Sequence, residues 1–310
     1  MGDGDVDEME RVGFIGVGVM GKPMCLNLRK AGFPLSIYAR RPEAVQEVVD
    51  AGATLVDSPA AVAQASDIVI TMVTDSPDVE QVILGPKGVL EGVRPGMVVV
   101  DMSTIAPATA RKVGEACAER QVGFLDAPVS GGSQGAVAGT LTIMVGGERP
   151  TFERVLPVFA AVGRPENTLL VGPVGTGQVV KLINQHLCGV IAAGTLEAFV
   201  LGVKAGADVE TMARVIGSSS GGNWQLDNPI RLRAFSGTFE PGFFTDLLVK
   251  DLRLVLQMAD QLKVPVTLGA VAMQMYEVAR AQGYGRRDYT SVVRHLEEVA
   301  GVEVRVRPQS

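Results

Sequence analysis

Histidine and cysteine are almost missing from this sequence. Two histidines, His186 and His295, and three scattered cysteines, Cys25, Cys117 and Cys188, are spread over 310 residues. An odd number of distant cysteines without a CxxC pair makes neither a disulfide framework nor a zinc knuckle, and it fits a reducing cytoplasm. With two histidines there is no His-rich metal cluster and little room for a Ser/His/Asp triad. No metal is expected, and the base for any chemistry must be another residue type.

Clustered positive charge is also lacking. The chain has 28 Lys and Arg against 34 Asp and Glu, a net charge of −6. Five of the acids (Asp3, Asp5, Asp7, Glu8 and Glu10) fall within residues 1–10, leaving the rest nearly neutral. Such a body has no field to hold nucleic acid or an anionic membrane, so neither is expected as a partner. Residues 1–10 read as a disordered acidic tail. No basic segment precedes an apolar stretch there, so no secretory signal is expected. The most apolar run, Leu187 to Val203, is short for a membrane span and carries Glu197, and it reads as a buried helix of a soluble protein.

What is present divides the chain in two. From residue 11 to 172, the apolar runs VGFIG, PLSIY, DIVITMV, MVVVD, GFLDA, LTIMVGG and TLLVG alternate with helical stretches such as Pro42 to Asp50 and Pro107 to Arg120. This alternation predicts an α/β domain, a doubly wound and mainly parallel sheet covered by helices on both faces. After Gly172 the strand signal stops. Gln178 to Ala205, Asp208 to Ile216, Leu247 to Gln261 and Val266 to Ala281 read as helix, giving an all-α domain over 173–310. The junction GPVGTGQ leads into a long interdomain helix, Gln178 to Ala205, about 42 Å at 1.5 Å per residue. Val180, Leu182, Ile183, Leu187, Val190, Ile191, Leu196, Phe199, Val200 and Leu201 give it apolar residues on more than one face. Covering them calls for the α-domain and a second subunit, so a homodimer or homotetramer is expected.

The first run ends in VGFIGVGVMG, a G-x-G-x-x-G of Gly16, Gly18 and Gly21 that opens a helix at Met20. Gly16 permits the tight turn, Gly18 lets backbone approach a pyrophosphate, and Gly21 lets helix and strand pack closely, with Val19 and Met20 at the helix N-terminus beside the ligand. A dinucleotide site follows. At the end of the second strand an acid would take the ribose hydroxyl of NAD, but the residues there are Arg40 and Arg41. Guanidinium groups match a phosphate, which favours NADP over NAD. Met72, Val73 and Thr104, at the ends of later strands, are expected to contact the cofactor, while Ser103 fits a ligand contact or a turn about equally.

Lys181, Asn184 and Gln185 fall on one face of the long helix, and Gly177 precedes Lys181 on the same stripe, where it is expected to leave room for a ligand. His186 turns away. Burial lowers the pKa of a lysine and fits it for acid/base work near neutrality. In Ser130-Gly131-Gly132, small residues give backbone N–H groups and a hydroxyl that can hold a carboxylate without an arginine. Trp224, the only tryptophan, is expected as core or cleft wall.

Four blocks in order, GFIGVGVMGKPMCLNL, DAPVSGG (Asp126 to Gly132), GTGQVVKLINQ (Gly175 to Gln185) and KDL (Lys250 to Leu252), make the chain resemble the β-hydroxyacid dehydrogenase family over residues 11 to 300. That family includes 3-hydroxyisobutyrate dehydrogenase, tartronate semialdehyde reductase, L-threonate dehydrogenase and the glyoxylate/succinic semialdehyde reductases. The resemblance implies a Rossmann-type cofactor domain and an NAD(P)-dependent exchange of hydride with a small 3-hydroxy acid or semialdehyde carboxylate. It implies Lys181 as general acid/base, Asn184 holding Lys181 or the reacting oxygen, Ser130, Gly131, Gly132 and Gln185 on the substrate, and Lys250 near the nicotinamide. Three alternatives fit less well. The chain is short for a 6-phosphogluconate-dehydrogenase-like oxidative decarboxylase, its Lys181 face argues against a non-catalytic NADP sensor, and the lysine itself opposes an imine reductase.

Overall fold

All seven apolar runs form strands in the computed structural model, which describes residues 9–306. The expected acidic tail lies, up to residue 8, outside the described residues. Glu10 is ion-paired with Arg154, Nε to Oε1 2.6 Å.

The chain divides into two compact units, Met1–Lys181 and Leu182–Ser310. The strands of the first are β1 (Val12–Ile15), β2 (Leu35–Tyr38), β3 (Thr54–Leu55), β4 (Ile68–Thr71), β5 (Val98–Asp101), β6 (Gly123–Asp126), β7 (Val129–Ser130), β8 (Leu141–Gly147) and β9 (Gly163–Gly172). They form one sheet in the order β3-β2-β1-β4-β5-β6-β8-β7, with β9 also paired to β8. Pairing is parallel from β3 through to β6 and between β8 and β9, and antiparallel where β8 meets β6 and β7. The strand order reverses at β1, and a ligand crevice opens at such a switch point, outside the carboxyl ends of the strands.

The helices of this unit are α1 (Gly21–Lys30), α2 (Gln46–Asp50), α3 (Pro59–Gln64), α4 (Ser76–Leu84), α5 (Pro107–Ala118), α6 (Gly132–Ala138) and α7 (Arg149–Val162). Alternation along the strands builds a core on each face of the sheet. Val12, Phe14, Ile68, Ile70, Val98 and Val100 face Met24 and Leu28 of α1 and Phe152 and Phe159 of α7. Ile15, Val69 and Val99 face Val62 of α3, Val79 and Ile83 of α4 and Val113 of α5. Helix starts follow local chemistry. Ser58 caps α3 by accepting the Ala61 N–H, Asp75 accepts the Ser76 N–H ahead of α4, and prolines occupy the first turns of α3, α4 and α5.

The longest helix, α8 (Thr176–Lys204), contains the division between the units. The second unit continues with α9 (Val209–Gly217), α10 (Thr245–Leu262), α11 (Thr267–Ala279) and α12 (Val293–Ala300), and its one described β-bridge joins Phe244 to Asp288. Leu196, Phe199 and Val200 of α8 share a core with Phe235, Leu248, Leu252 and Tyr276. The Tyr276 hydroxyl donates to the Gly189 carbonyl, 3.0 Å. Leu187 and Leu201 are 50% and 71% exposed, so the run from Leu187 to Val203 is buried along one side only. Among the described residues, α8 is the one helix with the length and apolar composition of a membrane span.

Candidate active site

The glycine loop between β1 and α1 carries out three different tasks. Gly16 has φ +102°, and a Cβ there would stand 2.1 Å from the Met72 carbonyl oxygen. At Gly21 a Cβ would stand 2.1 Å from the Gly16 carbonyl oxygen and 2.9 Å from the Phe14 ring. Both are therefore fixed by packing against the protein's own strands and backbone. Gly18 is exposed, and a Cβ there would meet nothing within 4 Å. Its backbone is therefore open to approach from outside the protein, as a backbone that receives a pyrophosphate requires. Val19 is 66% exposed at the same edge. This cradle fits a dinucleotide.

Arg40 and Arg41 are exposed after β2, and the Arg40 guanidinium lies 4.0 Å from Asp78 of α4. Both remain open to a phosphate. Met72 and Val73 follow β4, half-buried, and Thr104 follows β5, half-buried as well. Ser103 is fully buried and joins these two strand ends, its Oγ accepting the Val73 N–H at 2.9 Å.

Asp126, at the end of β6, is a structural residue that its motif did not reveal. Its Oδ1 accepts the Gly175 N–H at 2.6 Å and its Oδ2 accepts the Gln178 N–H at 2.9 Å, so the carboxylate caps α8. Burial pushes its pKa up to about 7 against the opposing pull of these N–H groups, and the charge of Asp101 adds to the rise. Asp101 is paired with it across β5 and β6 and accepts the Thr71 hydroxyl at 2.7 Å. Gly177 serves the same junction. A Cβ there would stand 2.4 Å from the Met144 carbonyl oxygen and 2.6 Å from that of Asp126. The expectation that Gly177 leaves room for a ligand before Lys181 is thus corrected, because strand backbone fills that space.

Lys181 stands in the second turn of α8 and is 6% exposed. Gly131 and Gly132, at φ +134° and +61°, take conformations that favour glycine, and Gly131 caps α6. Ser130 pairs with Thr142 of β8. These residues belong to the same unit as the glycine loop.

In the second unit the expected polar residues form one chain of contacts. Asn184 is exposed and its Nδ2 donates to Gln185 Oε1 at 3.0 Å. Gln185 is buried and its Nε2 donates to Asp251 Oδ2 at 2.7 Å. The other oxygen of Asp251 lies 2.9 Å from Lys250 Nζ. Asp251 was missed in the sequence, although it stands within the KDL block. Its signal is a buried acid between a lysine and an amide, which appears only when α8 and α10 are folded together. Trp224 is 67% exposed and is not a core residue. It lies ahead of a wide helical segment, Leu226–Ala234, that contains Pro229.

A family model of the NAD-binding domain of 6-phosphogluconate dehydrogenase matches residues 11–175. A model described as the NAD-binding region of NADP-dependent 3-hydroxyisobutyrate dehydrogenase matches residues 175–296. The 2-(hydroxymethyl)glutarate dehydrogenase of Eubacterium barkeri is 42% identical over 95% of this chain and 97% of its own. The NAD-dependent L-serine dehydrogenase of Pseudomonas aeruginosa is 40% identical over 94% of this chain and 100% of its own. The structure of Mycobacterium tuberculosis 3-hydroxyisobutyrate dehydrogenase with L-serine superposes with a TM-score of 0.86, at 31% identity, over 93% of this chain and 99% of that one.

Proposed function

Since the chain belongs to the β-hydroxyacid dehydrogenase family and is an NAD(P)-dependent dehydrogenase of small hydroxy acids, we propose that Lys181 is the general acid/base of its reaction. In the oxidative direction the ammonium-free lysine takes the proton of the substrate hydroxyl, and in reduction it returns one to the carbonyl oxygen. A bound nicotinamide would supply or accept the hydride at the carbon bearing that oxygen. Ser130, Gly131 and Gly132 hold the substrate carboxylate, which fixes the β-carbon for transfer. Asn184 and Gln185 are assigned to the substrate, and Lys250, which is paired with Asp251, to the cofactor. Gly16, Gly18, Val19, Met20 and Gly21 would hold the pyrophosphate, and Met72, Val73 and Thr104 would line the rest of the cofactor. The carrying observation is the burial of Lys181 on a helix start that is capped from β6, in the same unit as the glycine loop.

The substrates named for the relatives share one shape. 2-(Hydroxymethyl)glutarate, L-serine and 3-hydroxyisobutyrate are all 3-hydroxypropanoates substituted at the carbon beside the carboxylate. This chain is assigned the same class, which includes the reduced product of tartronate semialdehyde. NADP is favoured over NAD on the exposed Arg40 and Arg41 and the absence of an acid at the end of β2. Val180, Ile183 and Leu187, 36%, 48% and 50% exposed on α8, favour a homodimer or homotetramer. Three free cysteines accord with a reducing, cytoplasmic setting.

A panel of 2-substituted 3-hydroxypropanoates and their semialdehydes, followed by nicotinamide absorbance with each cofactor, tests the reading. Turnover of at least one such pair is expected. Turnover of none of them, with a sugar-acid phosphate decarboxylated instead, would overturn it.

A further inference from the structure

The first turn of α8 carries a buried amide that the proposed reaction does not use. Gln178 is fully buried, with Oε1 accepting the Ile105 N–H at 3.0 Å and Nε2 donating to the Ser103 carbonyl at 2.8 Å. Those two groups belong to the peptide units on either side of Thr104. In a parallel ladder a residue pairs with its neighbour in this pattern, bonding the carbonyl before the partner residue and the N–H after it. The Gln178 amide thus stands beside Thr104 as a strand one residue long. Only Asn and Gln offer a carbonyl acceptor and an N–H donor side by side on one side chain, and Asn is shorter by a methylene.

The connection extends in both directions. Through its Oγ, Ser103 accepts the Val73 N–H at 2.9 Å and ties the end of β4 to that of β5. The backbone N–H of Gln178 donates to Asp126 at the end of β6. Lys181 follows three residues later, one helical turn on. Gln178 therefore ties the ends of β5 and β6 directly, and that of β4 through Ser103, to the helix that bears the proposed acid/base.

We propose that Gln178 is a positioning residue for cofactor recognition, clamping both peptide units around Thr104 and, through Ser103, holding the N–H of Val73. The proposal rests on the reading of Thr104 and Val73 as cofactor contacts. It explains why a glutamine with no access to solvent occupies the turn before Lys181. It also assigns the Thr104 loop a geometry that is set from α8, outside the sheet.

The test is a double-mutant cycle on NADPH binding, measured by nicotinamide fluorescence without substrate, in Gln178→Met, Thr104→Ala and the double variant. Thr104→Ala is expected to bind NADPH about tenfold more weakly, Gln178→Met at least as weakly because it also releases Val73, and the double variant no weaker than Gln178→Met, because the Thr104 contact is already lost there. In turnover, the cofactor KM should rise with Kd while kcat at saturating cofactor changes less. Additive losses, about a hundredfold in the double variant, would overturn the proposal, as would an unchanged Kd with a lowered melting temperature. If Gln178→Met does not fold, Gln178→Glu takes its place in the cycle with the same outcomes, since it keeps an acceptor for Ile105 but sets an oxygen against the Ser103 carbonyl. Failure of the functional reading looks different. In that case Thr104→Ala alone binds NADPH as the unmodified protein does.

Discussion

Replacing Gly18 and Gly21 separately by alanine distinguishes a glycine kept for a ligand from one kept for the fold. At Gly21 the new methyl would stand 2.1 Å from a backbone oxygen, that of Gly16, and 2.9 Å from the Phe14 ring. A backbone atom cannot rotate away as a side chain can, so the turn itself must shift. Overpacking of this kind costs about 1–3 kcal/mol. At about 2–4 °C per kcal/mol for a chain of this class, Gly21→Ala should melt several degrees lower. At Gly18 the methyl meets nothing within 4 Å, and no left-handed φ forbids it. Gly18→Ala should keep the melting temperature of the parent, or gain up to about 1 kcal/mol from the smaller entropy of its unfolded chain. On the proposed placement of the pyrophosphate its methyl blocks the approach, and NADPH affinity should fall at least about tenfold, or 1.4 kcal/mol. Thermal melting without ligand and a fluorescence titration with NADPH give the two readouts. If Gly18→Ala melts as low as Gly21→Ala, or binds NADPH as the parent does, the assignment of the loop is wrong.

Other outcomes follow from the remaining geometry. The combined Arg40→Ala and Arg41→Ala variant should weaken NADPH more than NADH, because only NADPH carries the ribose phosphate; equal losses in a paired titration would remove the case for NADP. Asp126 binds its proton more tightly folded, with a pKa of about 7 against 3.8, so between these values the native state holds the extra proton and stability falls as pH rises. Melting temperatures over that window should show this slope, and Asp126→Asn should flatten it, although an amide cannot accept both N–H groups of the α8 cap. Light scattering at micromolar concentration should give at least twice the chain mass of 32.6 kDa; a fully active monomer would refute the assembly.

The sheet was legible because buried parallel strands are near-continuous apolar runs, and seven of its nine strands carry that signature. β3 and β7 have two residues each and no pattern to read. The helix α6, GSQGAVA, hides behind glycines that resemble a loop, and its start is set by the left-handed conformation of Gly131 and not by a capping side chain. The glycine loop could be read because its spacing encodes a turn, but the division of labour within it could not. Gly21 and Gly16 answer to Phe14 and Met72, contacts made only on folding. Gly177 was misread for the same reason, since helical periodicity says which face a residue occupies and not what approaches that face. Asp126, Gln178 and Asp251 escaped because each joins elements far apart in the chain, as Gln185 and Asp251 do across 66 residues. Their signal is burial of a polar group, which a sequence does not display.

The most direct test of the central claim is turnover by Lys181→Ala with cofactor binding measured on the same preparation. The account predicts a fall of at least about 100-fold in kcat, as for loss of a general acid/base, with NADPH affinity close to that of the parent. Near-normal turnover by the folded variant would contradict it.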